Sequence, residues 1–231
     1  MIALLTNDDG IHADGLEALR ELAESYFDEV WVVAPAKEMS QIGHRVTTYE
    51  PLEIEERGRR RFAVHGTPAD CTRVALTHLL PKQPDWILSG INHGGNLGRH
   101  DFAISGTVAA VREAAFAGVR GIAFSHYIRR ELPLDWGLAG ERLDAVMREL
   151  LSRDLDVGSF WNVNLPHLEA GSEAPRLIDC EQERLSLEVC YAKDETGKLH
   201  YKGDYQGRPR VAGSDVDVCF SGNIALTLAG I

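Results

Sequence analysis

Short apolar runs alternate with amphipathic segments along the first two-thirds of the chain. The runs Ile2–Thr6, Glu29–Ala34 and Trp86–Leu88 are apolar enough to be strands that are buried on both faces, as in a parallel sheet. Between such runs, apolar residues recur at helical spacing, for example from Leu16 to Tyr26. Strand–helix alternation with short connections predicts an α/β fold, in which helices cover both faces of a parallel sheet.

Further segments fit the same alternation. Thr67 followed by Pro68 is typical of a helix start, and we predict a helix that ends near Leu80. Ser105 is predicted to begin another helix, which ends near Gly118. The other predicted elements are strands at Gly121–Ser125 and Phe160–Leu165, extended segments at Val46–Glu50, Leu52–Glu56 and Phe62–His65, and a helix around Leu143–Leu151.

Beyond Pro166 the sequence becomes polar and rich in Glu, Lys and Gly. Within residues 167–211, the turn-forming segment Asp194–Lys198 predicts a hairpin between Leu185–Ala192 and Lys198–Tyr205. We expect this stretch to extend from the core.

The C-terminal segment resumes an apolar pattern. Asp215–Phe220 and Asn223–Leu228 are both predicted to be strands that rejoin the core. The pattern therefore divides the chain into an α/β core over 1–166, a hairpin extension over 167–211 and returning strands over 212–231.

Composition excludes several classes of protein. The chain has 231 residues, of which 44% are hydrophobic and 26% charged, so it is long and apolar enough to bury a core and is not disordered. With 24 Lys and Arg against 35 Asp and Glu, its formal net charge is −11. That balance argues against binding a nucleic-acid polymer, which relies on Lys and Arg to neutralise phosphates. It leaves room for a small anionic ligand.

The compartment follows from three observations. The N-terminal segment has no basic region and contains two acids within nine residues, unlike a signal peptide. No stretch approaches the roughly 20 apolar residues of a membrane span. The four cysteines lack metal-ligand spacing, so we read them as reduced and structural. We expect a cytoplasmic protein with no membrane partner.

The first candidate for chemistry is Asn7-Asp8-Asp9-Gly10, directly after the first predicted strand. Ligands of open parallel sheets bind at the carboxyl ends of the strands. Two carboxylates ~4 Å apart repel by about 4 kcal/mol at an effective dielectric constant near 20. A divalent cation relieves that repulsion, and oxygen ligands suit Mg²⁺ or Mn²⁺. The alternative is a solvated turn that leads into a helix.

Two later loops add oxygen ligands. Ser40 follows the second strand and offers a hydroxyl, although a single loop serine is a weak signal. The segment Ser89–Gly98 interleaves glycines with Asn92 and Asn96, whose amides suit a hard cation or phosphate oxygens. It lacks both the Gly-Lys-Ser/Thr of a P-loop and a dinucleotide fingerprint. A flexible connector is the alternative interpretation.

The fourth loop is Ser105-Gly-Thr107, at the start of a predicted helix. Free amides at Gly106 and Thr107, together with the helix dipole, favour an anion there, and plain helix capping is the alternative. Together, the four loops describe an oxygen-ligated metal beside an anion site, which suits metal-assisted hydrolysis of a phosphate ester. No Ser–His–Asp or Cys–His arrangement stands out.

Two rival functions use the same fold. A non-catalytic nucleotide or phosphate sensor would need only the anion site. A nicotinamide-dependent oxidoreductase would need a glycine fingerprint after the first strand, where this chain has Asp8 and Asp9 instead. Carboxylates at that position would repel a pyrophosphate, so we disfavour the oxidoreductase.

Several motifs, taken together and in order, resemble one known family, the SurE family of metal-dependent 5′/3′-nucleotidases. The combination of Asn-Asp-Asp-Gly at the N-terminus with Ser-Gly-Ile-Asn is specific, and the matches run from residue 2 to about residue 166. The matching segments are Asn7–Ile11, Ala34-Pro35 followed by Ser40, Gly66–Cys71, Ser89–Asn92 with Gly94 and Asn96, Ser105–Thr107 and Asn162–Pro166.

The resemblance implies hydrolysis of nucleoside 5′-monophosphates, and of 3′-monophosphates as a second class, with Mg²⁺ or Mn²⁺. It implies a Rossmann-like, three-layer, doubly wound and mostly parallel sheet with a protruding C-terminal hairpin. Asp8 or Asp9 is the candidate to accept the proton of the attacking water. Carried over by motif, the metal ligands are Asp8, Asp9, Ser40 and Asn92, and the residues around the phosphate are Asn96, Ser105, Gly106 and Thr107.

The family also assembles into dimers and tetramers through the hairpin and a C-terminal segment. Here Thr227-Leu228-Ala229 is followed only by Gly230 and Ile231, without the C-terminal helix that members commonly carry. We therefore expect a hairpin-mediated homodimer, with a tetramer as the alternative.

Overall fold

The computed structural model describes residues 1–169 and 171–231. The strands are β1 (Ile2–Thr6), β2 (Glu29–Pro35), β3 (Ile54–Gly58), β4 (Arg61–Val64), β5 (Trp86–His93), β6 (Arg120–His126), β7 (Ser159–Leu165), β8 (Leu177–Asp179), β9 (Tyr191–Lys193), β10 (Leu199–Tyr201) and β11 (Ile224–Gly230). The helices are α1 (Asp14–Ala23), α2 (Pro68–Val74) with a π-helical turn (Ala75–Leu79), α3 (Gly98–Ile104), α4 (Gly106–Phe116), α5 (Trp136–Ser152) and α6 (Asp215–Phe220).

One large sheet organises the molecule. Over the described residues it has nine strands in the order β3-β4-β2-β1-β5-β6-β7-β11-β8. The run from β4 to β7 is parallel, whereas β3 and β11 are antiparallel to their neighbours β4 and β7. The chain passes from β1 outward to β2 on one side and later to β5 on the other, so a topological switch point lies between β1 and β5.

Apolar clusters cover both faces of the sheet. On one face, Leu16 and Leu19 of α1 and Leu143 of α5 pack in the same core as Leu5 of β1. On the other face, the core contains residues of α2 and α4 together with Leu4. Adjacent residues of β1 thus belong to opposite cores, because successive side chains of a strand point to opposite faces. The predicted three-layer, doubly wound fold is confirmed.

The hairpin is also present, and it is shorter than predicted. β9 and β10 form a separate antiparallel pair in which Tyr191 stands opposite Tyr201. Asp194 shapes the turn, since its Oδ1 accepts bonds from the backbone N–H groups of Thr196 and Lys198 at 2.8 and 3.0 Å. Within the same polar stretch, β8 pairs with β11 and so belongs to the main sheet.

The predicted strand at Asp215–Phe220 is wrong, because this segment is the helix α6. Ser214 caps the helix by accepting a bond from the backbone N–H of Asp217 at 3.3 Å. Asp215 and Asp217 occupy the first turn, where acidic residues are favoured by the helix dipole. The Ser-x-x-Asp spacing was therefore a helix-start signal, which the apolar run Val216–Phe220 obscured.

Two further boundaries differ from the predictions. Val46–Glu50 is not a strand; there the backbone N–H of Thr47 donates to Asp70 Oδ1 at 2.8 Å, so a side chain replaces a neighbouring strand as its partner. β5 continues past Leu88 to His93, so the first half of the glycine-rich loop is strand. By contrast, the predicted start of α2 is confirmed, with a reciprocal capping box between Thr67 and Asp70.

In the described part of the chain, none of the helices combines the length and the apolar character required to traverse a bilayer.

Candidate active site

The predicted site residues converge on one cavity of about 800 Å³ at the carboxyl end of the sheet. Residues from four separate loops or strand ends line it: Asp8, Ser40, Asn92, Asn96 and Ser105. The remaining predicted residues lie against this set rather than in the cavity wall: Asp9, Gly106 and Thr107.

Asp8 occupies the floor of the cavity. Its side chain is only 3% exposed, and its Oδ1 accepts a bond from the hydroxyl of Thr107 at 2.5 Å. Burial, followed by the charge of Asp9, raises the pKa of Asp8 to about 7. Among the described residues, neither Lys nor Arg forms an ion pair with Asp8 or Asp9. The site therefore holds a buried carboxylate that lacks a cationic partner from the protein.

A tight turn sets the direction of Asp9. The side chain of Asn7 closes the turn: its Nδ2 donates to the carbonyl of Gly10 at 2.9 Å, and its Oδ1 accepts from the N–H of Gly10 at 3.2 Å. Asp9 Oδ2 in turn accepts the backbone N–H of His93 at 2.9 Å. This bond ties the carboxyl end of β1 to that of β5. Burial raises the pKa of Asp9, and the bond from His93 opposes that rise.

Ser40 and Asn92 complete a set of oxygen donors. The N–H of Met39 donates to the carbonyl of Asp8 at 2.7 Å, which holds the Ser40 loop beside the first strand. The Ser40 hydroxyl donates to Glu38 at 2.7 Å, so its oxygen keeps lone pairs for another partner. Asn92 Nδ2 donates to the carbonyl of Gly94 at 2.6 Å, which leaves Oδ1 to act as an acceptor.

These residues fit a hard divalent cation. The donor set consists of two carboxylates, a hydroxyl and an amide oxygen, the ligand types that Mg²⁺ and Mn²⁺ prefer. The buried, cation-free carboxylate of Asp8 is the observation that supports this fit most directly, because burying an unpaired charge is costly without a counter-ion.

The start of α4 forms the next wall. Ser105 caps the helix by accepting the N–H of Val108 at 3.1 Å, and its own hydroxyl proton remains to donate into the cavity. Thr107, by contrast, directs its hydroxyl at Asp8 and is fully buried. Gly106 packs directly on Asp8, since a Cβ there would lie 2.8 Å from the Asp8 Cβ. The helix start therefore both borders the cavity and positions Asp8.

Asn96 is fixed by a buried polar network. Its backbone N–H donates to Asn164 Oδ1 at 2.8 Å, and its Nδ2 donates to the Ser125 hydroxyl at 2.7 Å. Its carbonyl accepts bonds from the side chains of Asn162 and Asn164 at 3.1 and 3.3 Å. The second N–H of the Asn96 side-chain amide can donate to a ligand in the cavity. Two asparagines on one face of an apolar strand were the sequence signal for this network.

Sequence reasoning missed the far wall of the cavity. Residues of the hairpin and of the segment after β6 line it, although they are remote in sequence from the predicted loops. These lining residues are Tyr127, Ile128, Arg130, Glu131, Tyr201, Gly203, Asp204, Tyr205 and Gln206.

A buried ion pair fastens the base of the hairpin to α3. The Arg208 side chain is 2% exposed and donates to Asp101 Oδ2 at 2.8 Å and to the carbonyl of Leu97 at 3.2 Å. The hydroxyl of Tyr205 donates to the same Asp101 oxygen at 2.9 Å. Because Leu97 adjoins Asn96, this pair also supports the loop that faces the cavity.

We expect Arg208→Met to reduce the free energy of unfolding by about 3–5 kcal/mol, because it leaves the carboxylate of Asp101, which is only 12% exposed, without its arginine partner. Urea denaturation measures the change. The matched control is Arg148→Met, which removes an exposed pair with Asp144 and should cost less than about 1 kcal/mol. Equal losses in the two variants would contradict the special role of Arg208.

A different group of metal-ligand types lies at the sheet edge, away from the cavity. Glu53, Glu55 and His65 lie close together beside β3 and β4. Their charges already have partners, since His65 Nε2 lies 2.6 Å from Glu55 and Arg57 pairs with the same carboxylate. We therefore read this group as an edge ion-pair cluster rather than the predicted metal site.

Comparisons with known proteins agree with the geometry. A family model described as "Survival protein SurE" matches residues 3–187. A protein of Synechocystis sp. is 49% identical, with 97% of each chain covered. Proteins named 5′-nucleotidase SurE are 36% identical in Paramagnetospirillum magneticum (97% of this chain, 87% of that protein) and 42% identical in Allorhizobium ampelinum (75% and 68%).

A solved structure supports the fold. The crystal structure of a SurE protein from Aquifex aeolicus matches with a TM-score of 0.85 at 30% sequence identity. The match covers 100% of this chain and 93% of that chain, so it includes both the sheet and the hairpin region.

Proposed function

The chain belongs to the SurE family and is a 5′-nucleotidase, and we propose that it hydrolyses nucleoside monophosphates with a divalent metal, Mg²⁺ or Mn²⁺. The proposed metal ligands are Asp8, Asp9, Ser40 and Asn92. The proposal extends to 3′-monophosphates as a second substrate class.

One observation carries the metal-dependent part of the proposal. Asp8 is buried next to Asp9 without a cationic side chain, and the same cavity receives the hydroxyl of Ser105 at the start of α4. A carboxylate pair on its own would repel a phosphate ester. With a cation beside the pair, the helix start can hold the phosphate that the carboxylates would otherwise exclude.

The protein's own residues divide the remaining work. The hydroxyl of Ser105 and the free amide N–H of Asn96 donate to phosphate oxygens, and Gly106 and Thr107 contribute the positive end of the α4 dipole. The Thr107 hydroxyl holds the rotamer of Asp8. Asp8, Asp9, Ser40 and Asn92 would hold the divalent metal, which would supply polarisation of a phosphoryl oxygen and a lower pKa for water in the site. Asp9 or Asp8 accepts the proton of the attacking water.

Assembly belongs to the same proposal. Several apolar side chains of the hairpin extension are exposed in the single chain, including Leu185, Val189 and Leu199. Apolar residues on an exposed arm favour burial against a second copy, so we propose a homodimer formed through residues 167–211. The cysteines are unpaired among the described residues, in line with the cytoplasmic location that we propose.

Phosphate release tests the proposal. Purified protein is incubated with AMP, GMP and their 3′ isomers in the presence of Mn²⁺ or Mg²⁺, and then with EDTA. Metal-dependent release from a nucleotide is expected, with inorganic phosphate as a product inhibitor. Tight nucleotide binding without release from any of these esters would instead identify a non-catalytic sensor.

We expect Gly106→Ala to lower kcat/KM by about a hundredfold, because the added methyl group would lie 2.8 Å from the Asp8 Cβ and a displacement near 1 Å can cost that much. Steady-state kinetics with AMP measure the change.

The matched control is Gly140→Ala within α5, where the nearest atom lies 3.8 Å from the new Cβ. This variant should stay active and gain about 0.5–1 kcal/mol in stability from the better helix propensity of alanine. Wild-type kinetics in Gly106→Ala would show that its contact with Asp8 does not position the carboxylate.

A further inference from the structure

The cavity has a second end of different character, formed by the hairpin and the residues that follow it. We propose that Tyr201 is the stacking platform for the nucleobase, and that this end of the cavity selects a neutral nucleoside group over a second phosphate. The proposal rests on the nucleotidase function above and identifies the residue that recognises the part of the substrate remote from the reacting phosphate.

Tyr201 presents an aromatic ring to the cavity. It is the last residue of β10, it lines the same cavity as Asp8, and it is 48% exposed. Bases stack on aromatic side chains independently of sequence, because every base has a π-face. An aromatic ring that is half exposed inside a substrate cavity is therefore suited to a nucleobase.

The position of the ring is fixed by its surroundings. Gly203 allows the ring to fold back over the chain, since a Cβ there would lie 2.1 Å from the Tyr201 hydroxyl oxygen. Tyr191 packs beside it on the paired strand, with ring centroids 5.6 Å apart and planes at 71°. A ring held in this way loses little conformational entropy when a base stacks on it.

The charges at this end favour a neutral group. Asp204 lines the cavity and its Oδ1 accepts the N–H groups of Gln206 and Gly207 at 3.1 and 2.9 Å. Asp101 also lines the cavity, and its carboxylate is bound by Arg208 and Tyr205. Glu131 and Arg130 line the same wall, so carboxylates outnumber cationic side chains among the described lining residues of this end. A second phosphate here would meet net repulsion, whereas the N–H groups of a base would not.

The size of the cavity agrees with a ligand larger than phosphate. Its volume of about 800 Å³ lies within the range of small-molecule sites, which is roughly 300–1,000 Å³. The metal and phosphate residues occupy one end, so the volume toward Tyr201 and Gln206 is available to the nucleoside.

The test compares AMP with ribose 5-phosphate, which carries the same ester without a base. In the wild type, kcat/KM for AMP should exceed that for ribose 5-phosphate by about tenfold or more, the effect of one stacked base. In Tyr201→Ala this ratio should fall about tenfold, mainly through KM for AMP, while ribose 5-phosphate is hydrolysed as before.

Two variants serve as controls. Tyr201→Phe keeps the ring and should keep the ratio, because the Tyr201 hydroxyl has only a long 3.5 Å contact with the carbonyl of Glu188. Tyr49→Ala removes the same kind of side chain from a fully exposed position, and Tyr49 is not among the described lining residues of the cavity, so this variant should retain the ratio.

Each outcome decides the proposal. An unchanged ratio in Tyr201→Ala, or an equal loss for both substrates, overturns the stacking role while the nucleotidase function stands. If the wild type hydrolyses neither substrate, the proposed function fails. The dissociation constants of AMP and ribose 5-phosphate for the same variants then decide whether Tyr201 stacks on the base: a ratio that falls only in Tyr201→Ala supports it, and an unchanged ratio overturns it.

Discussion

Asp9→Asn is expected to reduce kcat for AMP hydrolysis by more than about a hundredfold while leaving the fold intact. Substitutions one shell away from a metal typically cost 10–100-fold, so loss of a direct carboxylate ligand should cost more. The fold should survive because the amide oxygen of asparagine can still accept the N–H of His93, as Asp9 Oδ2 does at 2.9 Å. Steady-state kinetics and circular dichroism provide the two measurements.

The matched control is Asp14→Asn, which makes the same change at an exposed position in the first turn of α1, outside the lining of the cavity within the described chain. It should retain wild-type activity. Near-normal turnover in Asp9→Asn would remove Asp9 from both the metal set and the role of proton acceptor.

Removal of the metal is expected to abolish phosphate release and to lower thermal stability. A cation at a hundred times its Kd stabilises the native state by about 2.7 kcal/mol. For a protein of this length, that corresponds to an increase in Tm of roughly 5–10 °C. Differential scanning fluorimetry after EDTA treatment, and then with added Mn²⁺, measures the shift.

Asp8→Asn tests whether the increase in Tm on adding Mn²⁺ comes from a cation bound at this site or from a general effect of added salt. The neutral amide no longer places an unpaired charge in a site that is 3% exposed, so the metal-free variant should unfold at a higher temperature than the metal-free wild type. The same variant should lose both catalysis and the Mn²⁺-dependent increase in Tm. An equal Mn²⁺ shift in wild type and Asp8→Asn would place the cation elsewhere, for example at the cluster of Glu53, Glu55 and His65.

The hairpin extension forms part of the cavity wall, in addition to its proposed role in assembly. Its strands were predicted from a turn signal alone, and their partners in the cavity could not be read from local sequence. Arg208 and Asp101 are 107 residues apart, yet their bond sets the base of the hairpin against α3. The extension therefore lines the cavity in addition to its place in the proposed dimer contact.

Local patterns were sufficient for most of the fold. The buried strands, the capping box at Thr67 and the start of α4 at Ser105 all depend on neighbouring residues, which is why periodicity and capping rules located them. The same rules failed at Asp215–Phe220, where a short amphipathic helix and a buried strand have similar apolar content.

By itself, the sequence determined the parallel sheet and the loops that had to meet at one edge, because parallel strands bring their carboxyl ends together. It thereby placed Asp8, Ser40, Asn92 and Ser105 in one site. Only the tertiary structure decided that the Thr107 hydroxyl orients Asp8, a contact that spans 99 residues, and that Tyr201 closes the far wall. Such contacts depend on how distant segments pack, and no local pattern of hydrophobic and polar residues encodes that packing.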